Sequence, residues 1–178
     1  MKTSRAIYAG TFDPVHFGHL DLMKRAADIF DELIVAVYDH RTPTKSILFS
    51  IDERKQMLRD SLQGVDNAHI MPFSGLLVNF ARANNVRVLV RGLRVFSDFE
   101  FEFRQALANK RLAPDIETML LITDEKHSFL SGTTVREIAS LHGDVSSMVP
   151  ENVAHALHAR FSDKLSYGDS YNTLPQRD

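Results

Sequence analysis

The 178-residue sequence contains no cysteine, which excludes disulfide bonds, thiolate nucleophiles and thiolate metal ligands. It also has no run of the ~20 apolar residues that a membrane-spanning helix needs. The first six residues lead into a strand-like segment without the apolar core of a signal peptide. We therefore expect a cytoplasmic protein that has no membrane partner.

A surplus of positive charge is missing as well, because the formal net charge is -2. Proteins that bind nucleic acid usually present a basic face to the phosphate backbone, so we expect no nucleic-acid partner. Any anionic substrate must then be held by cations placed locally in its site. The length fits one core-forming domain, expected over residues 1–161, while residues 162–178 are expected to form a polar, flexible tail.

Short aliphatic runs alternate with stretches of helical periodicity along the chain. Ser50 followed by Glu53 predicts a capping box at the start of a helix. A later helix is predicted to carry Phe99, Phe103 and Leu107 on one face. The predicted strands cover residues 6–9, 33–38, 68–71, 86–90 and 118–122. One predicted helix begins after Ser50, and the others lie near residues 20–30, 76–84, 99–107, 135–141 and 153–161.

Strands that alternate with helices predict right-handed crossovers, and hence a parallel sheet covered on both faces. The predicted fold class is therefore α/β, with a doubly wound parallel sheet of five strands. In such folds ligands lie beyond the carboxyl ends of the strands. Residues that directly follow a strand are thus the first candidates for a functional site.

The first predicted strand is followed by residues 10–19, GTFDPVHFGH, which combine glycines, a hydroxyl and two histidines at a helix start. The amides of a helix N-terminus attract anions, and Gly18 would let a phosphate chain or a nucleobase approach the backbone. His16 and His19 are spaced so that both can share one helical face. A lone histidine at such a turn most often packs or caps. A histidine pair could also bind zinc, but no further ligand completes a zinc site.

This segment resembles the HxGH signature of the nucleotidyltransferase superfamily, together with the GTFDP prelude that accompanies it. A second segment, residues 91–102 (RGLRVFSDFEFE), places two arginines at the carboxyl end of the fourth strand. Guanidinium groups there can hold phosphate oxygens, although the segment alone could be a solvated charge run. It resembles the RGLRxxxDFExE run that distinguishes bacterial phosphopantetheine adenylyltransferases from related families.

A third segment, residues 128–136 (SFLSGTTVR), puts hydroxyls and a glycine beside a helix start. Alone it would be read as an N-cap. After the fifth strand it resembles the superfamily's second signature, ISSTxxR or ISGTxxR, which holds the phosphates of ATP. It departs from the serine-rich form common among phosphopantetheine adenylyltransferases by having Gly132 and Thr133, so a hydroxyl is missing at one position.

The loop after the second strand contains further cations. The resemblance implies a substrate-binding lysine in this loop, which points to Lys45. An exposed loop lysine is ordinarily only solvated. The loop is longer than the form typical of the family, so Arg41 stays open as an alternative to Lys45.

The resemblance covers residues 5–161 and implies a Rossmann-like nucleotidyltransferase fold. It implies contacts to ATP by Thr11, Phe12, His16, His19, Gly92, Leu93, Arg94, Glu102, His127, Ser128, Phe129, Leu130, Ser131, Gly132 and Thr133. It implies contacts to the acceptor by Thr11, Lys45, Leu77 and Arg91. The implied catalytic residues are His19, Lys45 and Arg91. Leu77 could equally be an ordinary core residue.

The implied reaction joins ATP and 4′-phosphopantetheine to give dephospho-coenzyme A and pyrophosphate, a step of coenzyme A biosynthesis. The attacking phosphate monoester is already anionic, because its second pKa is about 6. The site therefore needs alignment and charge neutralisation rather than a general base. His19 is expected to donate to the α-phosphate, Lys45 and Arg91 to orient the acceptor phosphate, and Arg94 to bind the triphosphate.

The resemblance has further implications for cofactor and assembly. Mg²⁺ is expected to bridge triphosphate oxygens, mostly through water, without a dedicated set of protein ligands. A homohexamer is implied by the family. Coenzyme A is a plausible feedback inhibitor, because it would compete for the acceptor pocket.

Other classes of protein stay open at the level of sequence. The HFGH motif also fits nicotinate mononucleotide adenylyltransferases and glycerol-phosphate cytidylyltransferases, but the RGLR to FEFE segment argues against both. A non-catalytic nucleotide-sensing module on the same fold is a second alternative, opposed by the full set of histidines and cations. A fragment of a class I tRNA synthetase is a third, but the sequence has no KMSKS run.

Overall fold

The computed structural model describes residues 4–39 and 47–162, in which strands and helices alternate. The strands are β1 (Arg5–Gly10), β2 (Glu32–Tyr38), β3 (Ala68–Phe73), β4 (Val88–Leu93) and β5 (Glu117–Ile122). The α-helices are α1 (Phe17–Ile29), α2 (Ile51–Ser61), α3 (Leu77–Ala83), α4 (Phe96–Leu112), α5 (Gly132–Ser140) and α6 (Glu151–Ser162). A 3₁₀-helix spans Glu125–His127.

The five strands form one sheet in the order β3-β2-β1-β4-β5, and every neighbouring pair is parallel. The predicted doubly wound parallel sheet is confirmed. The chain leaves β1 toward β2 and β3, then returns to β4 on the other side of β1. This change of direction leaves a crevice at the carboxyl ends of β1 and β4, which is where ligands bind in sheets of this kind.

The central strands are buried on both faces, because alternate side chains of a strand point to opposite sides. Ala6 and Tyr8 join a core made with α1, α2, α5 and α6, whereas Ile7 and Ala9 join a second core made with α3. Full burial of one such aliphatic side chain stabilises the fold by roughly 1.5–3 kcal/mol. The near-continuous apolar sequence of these strands therefore fixes them in the middle of the sheet.

The capping box predicted at the start of α2 is present. Ser50 Oγ accepts from the Glu53 backbone N–H at 3.3 Å, and Glu53 Oε2 accepts from the Ser50 N–H at 2.7 Å. A cap of this type stabilises a helix by about 1 kcal/mol. The polar residues before the helix thus determine where it begins.

The fourth strand lies further along the chain than predicted, because β4 covers Val88–Leu93 rather than residues 86–90. The Val86 N–H donates to Ala81 O at 2.9 Å, and Asn85 has a φ of 56°. Both features close α3 instead of extending a strand. Backbone pairing with β5 then continues to Leu93 opposite Ile122, which places Arg91 and Gly92 inside the strand.

The helix predicted to carry Phe99, Phe103 and Leu107 is α4, but its apolar face is not covered. These three side chains are 42%, 50% and 55% exposed. The periodicity predicted the helix and its apolar face correctly, and the described part of the chain leaves that face exposed.

Some predictions fall on residues outside the described ranges, namely Arg41, Lys45 and the tail after Ser162. Ser162 itself is the last residue of α6. Within the described residues, no helix combines the length and the apolar character that crossing a membrane requires.

Candidate active site

A cavity of about 300 Å³ opens at the carboxyl ends of β1 and β4. Residues from all three motif segments meet there, although they are far apart in the sequence. Of the residues implied by the resemblance, those lining the cavity are Phe12, His16, His19, Arg91, Gly92, Arg94, Glu102, Ser131 and Gly132. Residues of the first turns of α1 and α5 also line the cavity, and helix N-termini favour bound anions.

His16 and His19 form a reciprocal cap at the start of α1. His16 is the N-cap residue, and its Nδ1 accepts from the His19 backbone N–H at 3.3 Å. The Nδ1 atom of His19 accepts from the His16 backbone N–H at 3.4 Å. The two rings stack with their centroids 3.6 Å apart. The pair is therefore fixed by the helix terminus, which confirms that the spacing brings both rings together.

Both imidazole rings are held in the neutral form. Burial lowers the pKa of His16 to about 3, helped by the charges of Arg94 and His127. Burial lowers the pKa of His19 well below 6.5, helped by His16, Arg94 and Arg91. Because each Nδ1 atom accepts a hydrogen bond, we assign the ring proton to Nε2 in both residues. His19 can thus donate from Nε2 at neutral pH without first gaining a proton.

The turn before α1 is tightly built around Phe12. Its ring is 3% exposed and packs edge-on against His19, with ring centroids 5.1 Å apart. Its φ of 50° is unusual for a bulky residue. A Cβ atom at Gly10 would lie 2.8 Å from the Phe12 ring, so a side chain there would displace the ring. The contacts of Phe12 in the structure support the position of the His19 ring.

Arg91 is oriented by Glu102. Its Nε and Nη2 atoms each donate to one Glu102 carboxylate oxygen at 2.8 Å, and Nη1 donates to Ala9 O at 2.9 Å. Glu102 is 7% exposed, so the pair is shielded from solvent on the side of α4. A guanidinium group has five N–H donors, which leaves two on Arg91 for a ligand phosphate.

Arg94 links α4 to the segment before α5. Its Nε atom donates to Asp98 Oδ2 at 3.0 Å, and its Nη1 atom donates to Leu130 O at 2.7 Å. These bonds hold the guanidinium at the rim of the cavity with N–H groups to spare. Arg91 and Arg94 therefore provide two fixed cations for an anionic ligand.

The start of α5 explains why this chain has a glycine in its third motif. Ser131 is the N-cap, and its Oγ accepts from the Thr134 N–H at 3.0 Å. A Cβ atom at Gly132 would lie 3.3 Å from the backbone oxygen of Asp13. Glycine thus allows the start of α5 to pack closely against the turn that precedes α1.

Two buried charged residues that the sequence reasoning missed hold the turn in place. The carboxylate of Asp13 accepts from the Leu48 and Phe49 backbone N–H groups at 2.8 and 2.9 Å. Arg54 is 2% exposed, and its Nη1 atom donates to Thr11 O at 2.6 Å. The sequence signal that could have revealed Arg54 is its position: it is a charged residue on the side of α2 that is buried with Met57 and Leu58.

Two further cavity residues, Tyr8 and Thr123, were also missed. Burial raises the pKa of Tyr8 to about 12, so its phenol stays protonated at neutral pH. Both residues line the cavity. Tyr8 belongs to β1 and Thr123 directly follows β5, and the sheet order is what brings both of them to the cavity.

The other implied site residues lie around the cavity or apart from it. Leu77 begins α3 and packs, half-buried, on the second core. Phe129 is 60% exposed, whereas Leu130 is fully buried. The His127 ring lies 6.3 Å from that of Phe17. Among the remaining ones, Thr11 follows β1, Leu93 ends β4, Ser128 follows the 3₁₀-helix and Thr133 lies in the first turn of α5.

Comparison with known proteins gives consistent matches. A family model described as cytidylyltransferase-like matches residues 7–138. The chain is 49% identical over 160 residues to a phosphopantetheine adenylyltransferase of Dictyoglomus thermophilum, covering 90% of this chain and 96% of that protein. It is 47% identical over 165 residues to a phosphopantetheine adenylyltransferase of Heliobacterium modesticaldum, covering 93% and 94%.

Solved structures with the same fold have more distant sequences. A putative nicotinate-nucleotide adenylyltransferase from Vibrio parahaemolyticus superposes with a TM-score of 0.65 at 16% identity, covering 88% of this chain and 99% of that one. A bifunctional NMN adenylyltransferase/ADP ribose pyrophosphatase from Francisella tularensis gives a TM-score of 0.70 at 16% identity, covering 93% and 53%. These structures confirm the nucleotidyltransferase fold, and the closer sequence matches show that the chain belongs to the phosphopantetheine adenylyltransferase family.

Proposed function

We propose that the protein transfers AMP from ATP to 4′-phosphopantetheine, releasing pyrophosphate and forming dephospho-coenzyme A. The observation that carries the proposal is the cavity in which His19, Arg91 and Arg94 meet the first turns of two helices. Such a site is built to hold phosphate groups and to neutralise charge that develops on them. Membership of the family supplies the acceptor.

The reaction forms a bond between a phosphate oxygen of the acceptor and the α-phosphorus of ATP, while the bond from that phosphorus to pyrophosphate breaks. His19 donates from Nε2 to an α-phosphate oxygen as negative charge builds up there. Because the acceptor phosphate is already anionic near neutral pH, no side chain has to remove a proton from it. The low pKa of His19 supports this role, since the ring is a donor in its neutral form.

Arg91 orients the acceptor phosphate, and Glu102 orients Arg91 through the paired hydrogen bonds. Both oxygens of Glu102 are engaged in this way, so the implied contact of Glu102 with ATP would use its remaining lone pairs. Arg94 binds the triphosphate. Lys45 completes the acceptor site in this proposal, with Arg41 as the alternative.

Magnesium enters the proposed reaction as part of the substrate, MgATP. Within residues 4–39 and 47–162, no group of three or more acidic or histidine side chains is arranged to hold a metal ion. Among the described residues that line the cavity, Glu102 is the one carboxylate, and it is paired with Arg91. Phosphate oxygens and water suit the ligand preference of Mg²⁺, and the bound ion would neutralise charge on the leaving pyrophosphate.

We propose further that the protein acts in the cytoplasm as a homohexamer. The exposed apolar face of α4 supports self-association, because monomeric proteins rarely leave such a stripe open to water. The rings of Phe96, Phe99 and Phe103 stack along it, with successive centroids 6.5 and 5.7 Å apart. We also propose that coenzyme A inhibits by occupying the acceptor pocket, which predicts inhibition competitive with 4′-phosphopantetheine.

An acceptor panel tests the proposed activity. Purified protein is mixed with ATP and Mg²⁺, and pyrophosphate release is measured with 4′-phosphopantetheine, pantetheine and nicotinate mononucleotide. We expect release with 4′-phosphopantetheine and none with pantetheine, which lacks the phosphate that Arg91 holds. Faster release with nicotinate mononucleotide would overturn the proposed acceptor.

A further inference from the structure

Thr123 follows β5 directly and lines the active-site cavity. Its backbone N–H donates to Leu93 O at 2.9 Å, so the pairing between β5 and β4 continues by one residue. The residue is 6% exposed. The sheet itself therefore fixes the position of the Thr123 side chain at the wall of the cavity.

The hydroxyl of Thr123 has no hydrogen-bond partner. In the part of the chain that the structure describes, it is the one buried side-chain nitrogen or oxygen atom in this condition. Buried polar groups are nearly always paired, because leaving one unpaired destabilises the folded state. An unpaired hydroxyl in the wall of a ligand cavity has a direct explanation if the ligand supplies the partner.

The surroundings of Thr123 indicate which part of a nucleotide it contacts. A Cβ atom at Gly92 would lie 2.4 Å from Leu22 Cδ1 and 3.7 Å from Thr123 Oγ1. Leu22, Gly92 and Thr123 thus form one uncharged section of the wall. Phosphates are better held by guanidinium groups and helix N-termini, whereas a neutral hydroxyl between apolar groups suits a ribose hydroxyl or a ring nitrogen.

We propose that Thr123 Oγ1 is a nucleotide-binding group that hydrogen-bonds the nucleoside part of ATP. This inference rests on the adenylyltransferase function proposed above. Rotation about the Cα–Cβ bond of Thr123 exchanges its hydroxyl and methyl groups between staggered positions, which turns the hydroxyl toward a bound ligand. The hydroxyl is unpaired in the free enzyme and paired in the complex.

The test compares Thr123→Val, which keeps the shape of the side chain, with Thr123→Ser, which keeps the hydroxyl. We expect Thr123→Val to weaken ATP binding by roughly 3- to 10-fold in calorimetric titrations of the full chain, the scale of one neutral hydrogen bond. The same variant should raise the Tm of the free protein by about 2–4 °C, since the unpaired hydroxyl is gone. Thr123→Ser should bind ATP nearly as the wild type does.

Two ligands and one control separate the nucleoside contact from other roles. Thr123→Val should weaken AMP binding by the same factor as ATP binding and leave tripolyphosphate binding unchanged. Thr118→Val, a matched change at the opposite end of β5, should alter neither affinity. The proposal would be overturned if Thr123→Val bound ATP as tightly as the wild type. It would also be overturned if the variant had both a lower Tm and a lower ATP affinity. Weaker tripolyphosphate binding would overturn the assignment to the nucleoside.

Failure of the proposed function can be told apart from failure of this inference. If the wild type binds ATP and Thr123→Val binds it less tightly, the contact stands even when no dephospho-coenzyme A forms. If the wild type forms dephospho-coenzyme A but Thr123→Val binds ATP equally well, only the proposed Thr123 contact is wrong. If the wild type binds no ATP, both proposals fall.

Discussion

His16 and His19 share the start of α1 but have separable tasks. His16 is 3% exposed, and its ring caps the helix. His19 caps the backbone of His16 in return. Both residues line the cavity, but only His19 is proposed as the donor to the α-phosphate. The hydrogen bonds that fix the rings also determine which nitrogen carries the proton. Helix capping and the proposed phosphate binding thus involve the same pair of residues.

The first prediction concerns His19. His19→Ala removes a donor to charge that develops in the transition state, so kcat should fall by roughly 10²- to 10³-fold. Affinity for ATP should change far less. The pH profile of kcat should have the same shape in the wild type and in His19→Ala, because His19 is already neutral and only the acceptor phosphate, with a second pKa of about 6, titrates in this range. The measurement is kcat and ATP affinity from pH 5.5 to 8.

His155→Ala is the matched control for His19→Ala. His155 lies on α6 with 78% of its side chain exposed, so its removal should leave kcat unchanged. Melting curves of both variants are needed because His19→Ala also removes a cap from α1. A folded His19→Ala protein with wild-type kcat would contradict the proposed role.

A second prediction follows from the pKa of His16, which is about 3 in the folded protein and 6.5 ordinarily. Between these values the unfolded chain binds a proton that the folded protein does not. The free energy of unfolding should therefore fall as the pH drops below 6.5, by about 1.4 kcal/mol per pH unit for this residue. Denaturant titrations between pH 6 and 5 measure the slope before most carboxylates begin to titrate.

His16→Asn tests the origin of that slope, because asparagine can still cap a helix but does not titrate. The slope between pH 6 and 5 should become shallower by about 1.4 kcal/mol per pH unit relative to the wild type. His155→Ala should keep the wild-type slope. An unchanged slope in His16→Asn would show that His16 is protonated in the folded protein.

At the scale of elements, α4 and β4 are joined across the cavity by side chains. Arg91 belongs to β4 and Glu102 to α4, and their paired hydrogen bonds connect the two elements. Arg94 and Asp98 form a second ion pair at the start of α4. The charges of this segment therefore hold the strand, the helix and the two guanidinium groups in one arrangement.

Glu102→Gln is expected to loosen that arrangement. The variant keeps the shape of the side chain but leaves the guanidinium of Arg91 without its charged partner, so the free energy of unfolding should fall by about 1–3 kcal/mol. The KM for 4′-phosphopantetheine should rise more than the KM for ATP, because the proposed role of Arg91 is to orient the acceptor. Steady-state kinetics with each substrate varied in turn measures the difference.

Glu117→Gln is the matched control, since Glu117 pairs with Lys110 of α4 but has 72% of its side chain exposed. Exposed ion pairs contribute little to stability, so this variant should resemble the wild type in stability and in both KM values. Equal effects of the two substitutions would show that the buried position of Glu102 has no special role.

At the scale of the whole molecule, the β5 edge of the sheet is more exposed to solvent than its central strands. The central strands β1 and β2 are buried, whereas β5 is an edge strand in which Met119 and Ile122 are 37% and 71% exposed. The apolar side chains of α4, which follows β4, are exposed as well. Both features belong to a surface that self-association would cover.

The last prediction is that this surface assembles copies of the chain. We expect the wild type to have a molar mass near six times 20.2 kDa by light scattering. Phe103→Asp places a charge in the stripe and should produce smaller species, because burying an unpaired charge is unfavourable. Leu141→Asp, at a residue that is 76% exposed after α5, is the control. A monomeric wild type, or an intact assembly of Phe103→Asp, would contradict the prediction.

Local sequence patterns determined the elements and the chemistry of the site. Alternating apolar runs gave the five parallel strands, and Ser50 with Glu53 predicted the start of α2, because these signals depend on neighbours along the chain. The HFGH, RGLR and SFLSGT segments identified His19, Arg91, Arg94 and Ser131, which line one cavity. Sequence similarity also placed the chain in its family.

Tertiary structure decided the properties that depend on residues far apart in the chain. The pairing of Arg91 with Glu102, the burial of Arg54 and Asp13, and the unpaired hydroxyl of Thr123 depend on the sheet order β3-β2-β1-β4-β5. Periodicity predicts which side of a helix or strand is apolar, but it does not say whether that side meets a core, a ligand or water. The exposed face of α4 and the low pKa of His16 could therefore not be predicted from periodicity, because exposure and desolvation depend on all the atoms around a group.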